Sequence, residues 1–117
     1  MGKYTNQAND FYLQILTNKT VWTIKDKNGY PAPKNNSGDR AMSFWSSEKL
    51  VLSFLAENKE YSGFKPDSIS LADFQKKWLL GLSKDGLLLG INWSGKNASG
   101  YDVKVSESVS FLESTRQ

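Results

Sequence analysis

The chain has 117 residues, 15 of them basic and 12 acidic for a net charge of +3, and it contains neither histidine nor cysteine. That length is expected to form one domain over 1–117, with a core of its own. The two missing residue types remove disulfides, thiolate chemistry, Ser-His and Cys-His pairs and the usual zinc ligands; no metal and no cofactor is therefore expected.

The first helix is expected over residues 6–17. Ala8, Phe11, Tyr12, Ile15 and Leu16 fall on one stripe at helical spacing, and Asn6 is a plausible cap. Residues 20–25 alternate as a strand, with Val21 and Thr23 to one side and Trp22 and Ile24 to the other. Asp26-Lys27-Asn28-Gly29 reads as a turn. A short strand at 30–32 would complete a hairpin, placed at an edge because Pro31 and Pro33 have no N–H to donate. Residues 34–40 read as a polar loop. A third strand at 41–45 leads into a helix capped by Ser46 or Ser47, with Leu50, Val51, Phe54 and Leu55 inward.

Residues 61–66 break the pattern, and a short strand at 68–71 follows. Ser70 and Asp73 have the spacing that starts a helix, whose buried face is read as Leu71, Phe74, Trp78 and Leu82. Asp85-Gly86 turns the chain into the near-continuous apolar strand 87–93, which suits a strand covered on both faces. Residues 94–100 read as a loop, and a last helix from Val105 turns Val109 and Leu112 inward. The order α-β-β-β-α-β-α-β-α predicts an α+β domain. Its sheet is mixed and about five-stranded, with an N-terminal hairpin, two strand–helix–strand crossovers at 41–71 and 68–93, and about four packed helices.

Charge is spread evenly, with eight basic and six acidic groups in residues 1–60 and seven and six in 61–117. Nucleic-acid binders gather positive charge on one face, so a nucleic-acid partner is disfavoured. No apolar run approaches the length of a membrane span, and the N-terminal stretch lacks the apolar core of a signal peptide. A cytoplasmic location with no membrane partner is expected. The Asn-x-Ser/Thr triplets at Asn18, Asn35 and Asn97 are then read as accidents of composition. A serine nucleophile at Ser46 or Ser47 would need a base, and Lys49 diverges from Ser47 around the helix. No phosphate loop, calcium loop or paired-carboxylate spacing is present.

The candidates that remain are aromatic and amide residues. Trp45 and Trp93 end strands, where sheet-based sites collect; each is read either as packing or as part of a partner hot spot. Trp22 and Trp78 are read as core or half-buried packing residues. Asn92 lies on an apolar strand, where it either hydrogen-bonds a loop or reads a ligand. Asp39-Arg40 precedes the Trp45 strand, and Arg beside an exposed Trp is a favoured interface pair. The tentative partner-binding set is thus Asp39, Arg40, Trp45, Asn92 and Trp93, with no catalytic residue.

Several tracts together carry a resemblance: Phe44-Trp45-Ser46-Ser47, Trp78-Leu79-Leu80-Gly81-Leu82, Asp85-Gly86 and Gly90-Ile91-Asn92-Trp93. In these the chain resembles, over roughly residues 8–112, a family of small bacterial proteins known only as a domain of unknown function. More loosely it is similar to the N-terminal domain of the type III secretion enhancer family and to bacterial immunity proteins. The resemblance implies a non-catalytic protein that binds another protein, most concretely an immunity protein occluding a contact-delivered toxin. The alternatives are a regulatory or scaffold protein of a stress or secretion pathway, and a nucleic-acid binder.

Overall fold

A computed structural model describes residues 3–35, 37–95 and 99–114. Four helices and five strands follow one another as α1 (Lys3–Asn18), β1 (Thr20–Lys25), β2 (Ala41–Phe44), α2 (Glu48–Glu57), β3 (Lys65–Ser70), α3 (71–84), β4 (Leu88–Ser94), β5 (Ser99–Val103) and α4 (Val105–Ser114). The protein is an α+β domain. Helix α1 begins before Asn6, whose side chain lies outside those described, as does the Asn97 triplet. Lys19, in the left-handed region at φ 57°, ends the helix by donating its N–H to the Ile15 carbonyl at 2.8 Å.

The strands form two small sheets. β1 pairs antiparallel with β3 over its whole length, from Thr20 opposite Ser70 to Lys25 opposite Lys65. β4 is the centre of the other, parallel to β2 and antiparallel to β5. A single antiparallel bridge joins them, in which Trp22 and Trp45 exchange N–H···O bonds at 2.9 and 2.7 Å.

Three expectations change. Residues 30–32 form no strand: the Asp26–Gly29 turn closes on itself, and β3, not a hairpin partner, takes the place beside β1. The edge position read for the prolines falls instead to Pro66 in β3, whose other side is unpaired. The two expected crossovers collapse into one connection from β2 to β4, because β3 leaves for the other sheet. The fifth strand is residues 99–103, part of which had been read as loop; its Gly100 and Asp102 disfavour a strand, and pairing to β4 decides its conformation.

β4 is buried on both faces, as its apolar run suggested. Leu89 and Ile91 face a cluster built from Phe11, Tyr12 and Ile15 of α1, Phe74, Leu79 and Leu82 of α3, and Leu112 of α4. Leu88 and Trp93 face the opposite cluster, with Trp45, Ile24, and Val51 and Phe54 of α2. Helix α3 is not a plain α-helix. Residues Phe74–Trp78 form a π turn, in which the Leu79 N–H reaches the Phe74 carbonyl five residues back. The extra residue in that turn puts Leu79, rather than Trp78, in line with Phe74 and Leu82 on the buried stripe.

Candidate functional site

The carboxyl ends of the parallel pair β2 and β4 meet the start of α2 and the outer side of α1. The carboxyl ends of parallel strands are where α/β folds place their ligands. Asn92 decides the local geometry. Its φ of 48° is in the left-handed region, which Asn tolerates better than any other residue with a Cβ except Asp. The pairing of β4 with β5 shifts register between Ile91 and Ser94, so Asn92 forms a bulge. The bulge undoes strict alternation: Ile91 faces the first cluster and Trp93 the second, on the side where Gly90 lies.

The Asn92 amide then bridges to the loop before α2. Its Oδ1 accepts from the Ser46 N–H at 3.0 Å, and its Nδ2 donates to Ser46 Oγ at 3.4 Å. Ser46 Oγ in turn hydrogen-bonds Gln14 Oε1 of α1. Ser46 is buried, whereas Ser47 caps α2 by accepting from the Leu50 N–H at 3.3 Å. These groups border a hollow of about 240 Å³ lined by Asp10, Gln14, Leu50, Ile91, Asn92, Ser94 and Gly100.

Beneath this hollow the two tryptophans form a brace. Trp45 is 0% exposed and donates its Nε1–H to the Trp93 carbonyl at 2.8 Å. Trp93, 7% exposed, donates its own Nε1–H to Asp102 Oδ1 at 2.9 Å, and Asp102 Oδ2 accepts from Asn35 Nδ2 at 3.1 Å. The Trp93 ring lies so close over β4 and β5 that a Cβ at Gly90 would come within 2.7 Å of it. Asn58, at the end of α2, ties down the chain after β4 by donating to the Gly95 carbonyl at 2.8 Å.

Of the five residues singled out from sequence, Trp45, Asn92 and Trp93 come together and Asp39 and Arg40 do not. The latter two precede β2, at the end of the strand away from Trp45. Arg40 donates to the Ala32 carbonyl at 3.0 Å, and the Asp39 backbone closes a turn on Asn35. Trp45 has no exposed surface to set beside an arginine. Trp45 and Trp93, open between packing and a hot spot, are buried packing residues, and Trp22 and Trp78 are half-buried against the two clusters, within the packing role read for them. Ser46, Gln14 and Asp102 were not singled out as a group. Their contacts span up to 67 positions in sequence, and no local spacing announces them.

The chemistry available here is hydrogen bonding by neutral amides and a hydroxyl, beside the Asp10 carboxylate and an exposed leucine. Ser46 Oγ is held by two amides rather than by a base. Among the described residues no three His, Cys, Asp or Glu side chains gather as metal ligands. The shifted tyrosines are held further from ionisation. Burial raises Tyr12, against a smaller lowering by its hydrogen bond to Ser108; burial also raises Tyr30 and Tyr61, with smaller contributions from Asp67 and Glu60.

The sequence pattern of a family described as "Protein of unknown function (DUF2750)" matches residues 8–110. The chain belongs to this family. A comparison with curated proteins gives no match. The family match covers every element of the site, from Asp10 and Gln14 to Asp102. No helix among the described residues is long and apolar enough to cross a membrane.

Proposed function

We propose that this member of the family works by binding another protein, without catalysis, and that the hollow between α1 and α2 at the carboxyl end of β4 is where the partner docks. The observation that carries this reading is Asn92. A non-glycine residue in the left-handed region costs free energy, and here it fixes an amide, Ser46 and Gln14 at the edge of an open hollow. Leu50 of α2, which lines the hollow, is exposed, and so is Leu13 on α1. A polar, hydrogen-bonding centre flanked by apolar side chains suits a protein surface better than a reaction centre. The lack of histidine and cysteine throughout the chain points the same way.

The partner we infer is a bacterial toxin domain, with this chain as its immunity protein, in keeping with the resemblance drawn from the sequence. With a net charge of +3, the inhibitor would meet a neutral or acidic toxin surface. The test is co-expression with the adjacent reading frame. A protective complex that Leu50→Arg dissolves is the expected result. An adjacent toxin that kills despite the protein, with no complex on gel filtration, would refute the reading.

A further inference from the structure

The amino end of β4 borders a second hollow, on the face of the first apolar cluster. Met42, Leu87, Trp78, Gly81 and Leu82 line an open hollow of about 200 Å³, together with Lys77 and Asp85. Two local features keep this space open. Gly81 lies inside α3, where glycine weakens a helix. A Cβ built there would meet nothing within 4 Å, so no neighbour forbids a larger residue. The π turn brings Leu79 into the core stripe and leaves Trp78 at the side of the hollow; such turns recur at functional sites.

The Trp78 wall is set in advance. Its ring makes edge contacts with Tyr30 at 4.8 Å and Phe44 at 5.9 Å between centroids, and Tyr30 is itself anchored by its hydroxyl on Asp67 at 2.8 Å. An apolar cavity of about 150 Å³ admits benzene, so this hollow has room for one ring or two fused ones. Charge sets the polarity of the ligand. Helix α3 carries Lys76, Lys77 and Lys84 against Asp73, and Asp85 follows its last residue. Lys77 is exposed and only 3.9 Å from Asp73, a weak pairing that an incoming anion can replace. Asp85 is two helical turns from Lys77, about 12 Å along the axis, so an anionic group is steered to the Lys77 end.

We propose that this hollow binds a small planar aromatic carboxylate, its ring against Trp78 over Gly81 and its carboxylate toward Lys77. The site is separate from the docking hollow: Leu87 and Asn92 stand about 17 Å apart along β4. It does not rest on the docking proposal.

The test is NMR titration of the full chain with three probes: indole-3-acetate, indole and tryptamine. The expected result is saturable shifts of the Trp78 indole. Indole-3-acetate should bind at least threefold tighter than indole, with tryptamine the weakest. Lys77→Gln should bring indole-3-acetate to the level of indole. Gly81→Leu should abolish binding of all three while the Trp45 and Trp93 indole resonances stay in place, and Gly81→Ala, which fills less of the space, should weaken it. The absence of saturable shifts at Trp78, binding that survives Gly81→Leu, or equal binding of the three probes would overturn the proposal.

Discussion

The two ends of β4 treat their tryptophans in opposite ways. At the carboxyl end Trp45 and Trp93 are buried, and both indole N–H groups donate within the protein, to the Trp93 carbonyl and to Asp102. Glycines at 90 and 100 make room for the Trp93 ring. At the amino end Trp78 is half-buried beside a gap, and Gly81 leaves space that nothing fills. One end is stitched by hydrogen bonds and carries its polar groups to the surface; the other is apolar and left open. A tryptophan's position on a strand or helix therefore does not tell its use. What decides it is whether its N–H finds a partner and whether a neighbouring glycine receives the ring or leaves a gap.

The largest test of this contrast is truncation of a tryptophan at each end. Trp45→Ala removes a fully buried ring in contact with Phe54 and leaves the Trp93 carbonyl without its donor. Denaturant unfolding should show a loss of about 3–5 kcal/mol. Trp78→Ala should cost less than half as much, because the ring is half-exposed. Equal losses would erase the distinction between the two ends.

Next in size is the bulge. Asn92→Gly keeps the left-handed backbone and loses the hydrogen bonds to Ser46, a cost of about 1 kcal/mol. Asn92→Val loses the same bonds and adds left-handed strain, for about 2–4 kcal/mol in all. If both variants unfold at the same denaturant concentration, the backbone conformation of Asn92 is not what its identity serves.

A pair of glycine substitutions should then move stability in opposite directions. Gly90→Ala drives a Cβ into the Trp93 ring, which Asp102 holds in place, and should cost about 1–3 kcal/mol. Gly81→Ala meets open space within α3 and should stabilise the protein by up to about 1 kcal/mol. Thermal unfolding of the two side by side gives the sign.

The smallest effect is on pH dependence. Burial raises the Tyr12 hydroxyl above its ordinary value near 10. The contribution is fully present below that pH. It is lost as pH rises from the unfolded value through the folded one, because the unfolded chain ionises first. Tyr12→Phe should flatten part of the alkaline decline in stability; an unchanged decline would assign it to other groups.

Much of the fold can be read from periodicity. The α1 stripe, the alternation of β1 and the doubly buried run of β4 all rest on patterns of side chains within one element, and all three recur in the structure. What could not be read depends on pairing at a distance. β5 becomes a strand because β4 offers it an edge, and 30–32 fails to become one because β3 occupies the place beside β1. The site divides the same way. Asn92 stood out as a polar residue in an apolar strand. Gln14 and Ser46 join it only once α1, β4 and the start of α2 are in place. The π turn was equally hidden, since Phe74, Trp78 and Leu82 fit an ordinary helix and only the packing of Leu79 reveals the extra residue.

We propose that a protein partner docks at the carboxyl end of β4. Its most direct test is isothermal titration of the purified chain against the product of the adjacent reading frame, with Leu50→Arg and Gly81→Leu in parallel. The expected result is a one-to-one complex that Leu50→Arg weakens at least tenfold and Gly81→Leu leaves unchanged. No binding, or binding indifferent to Leu50→Arg, would contradict it.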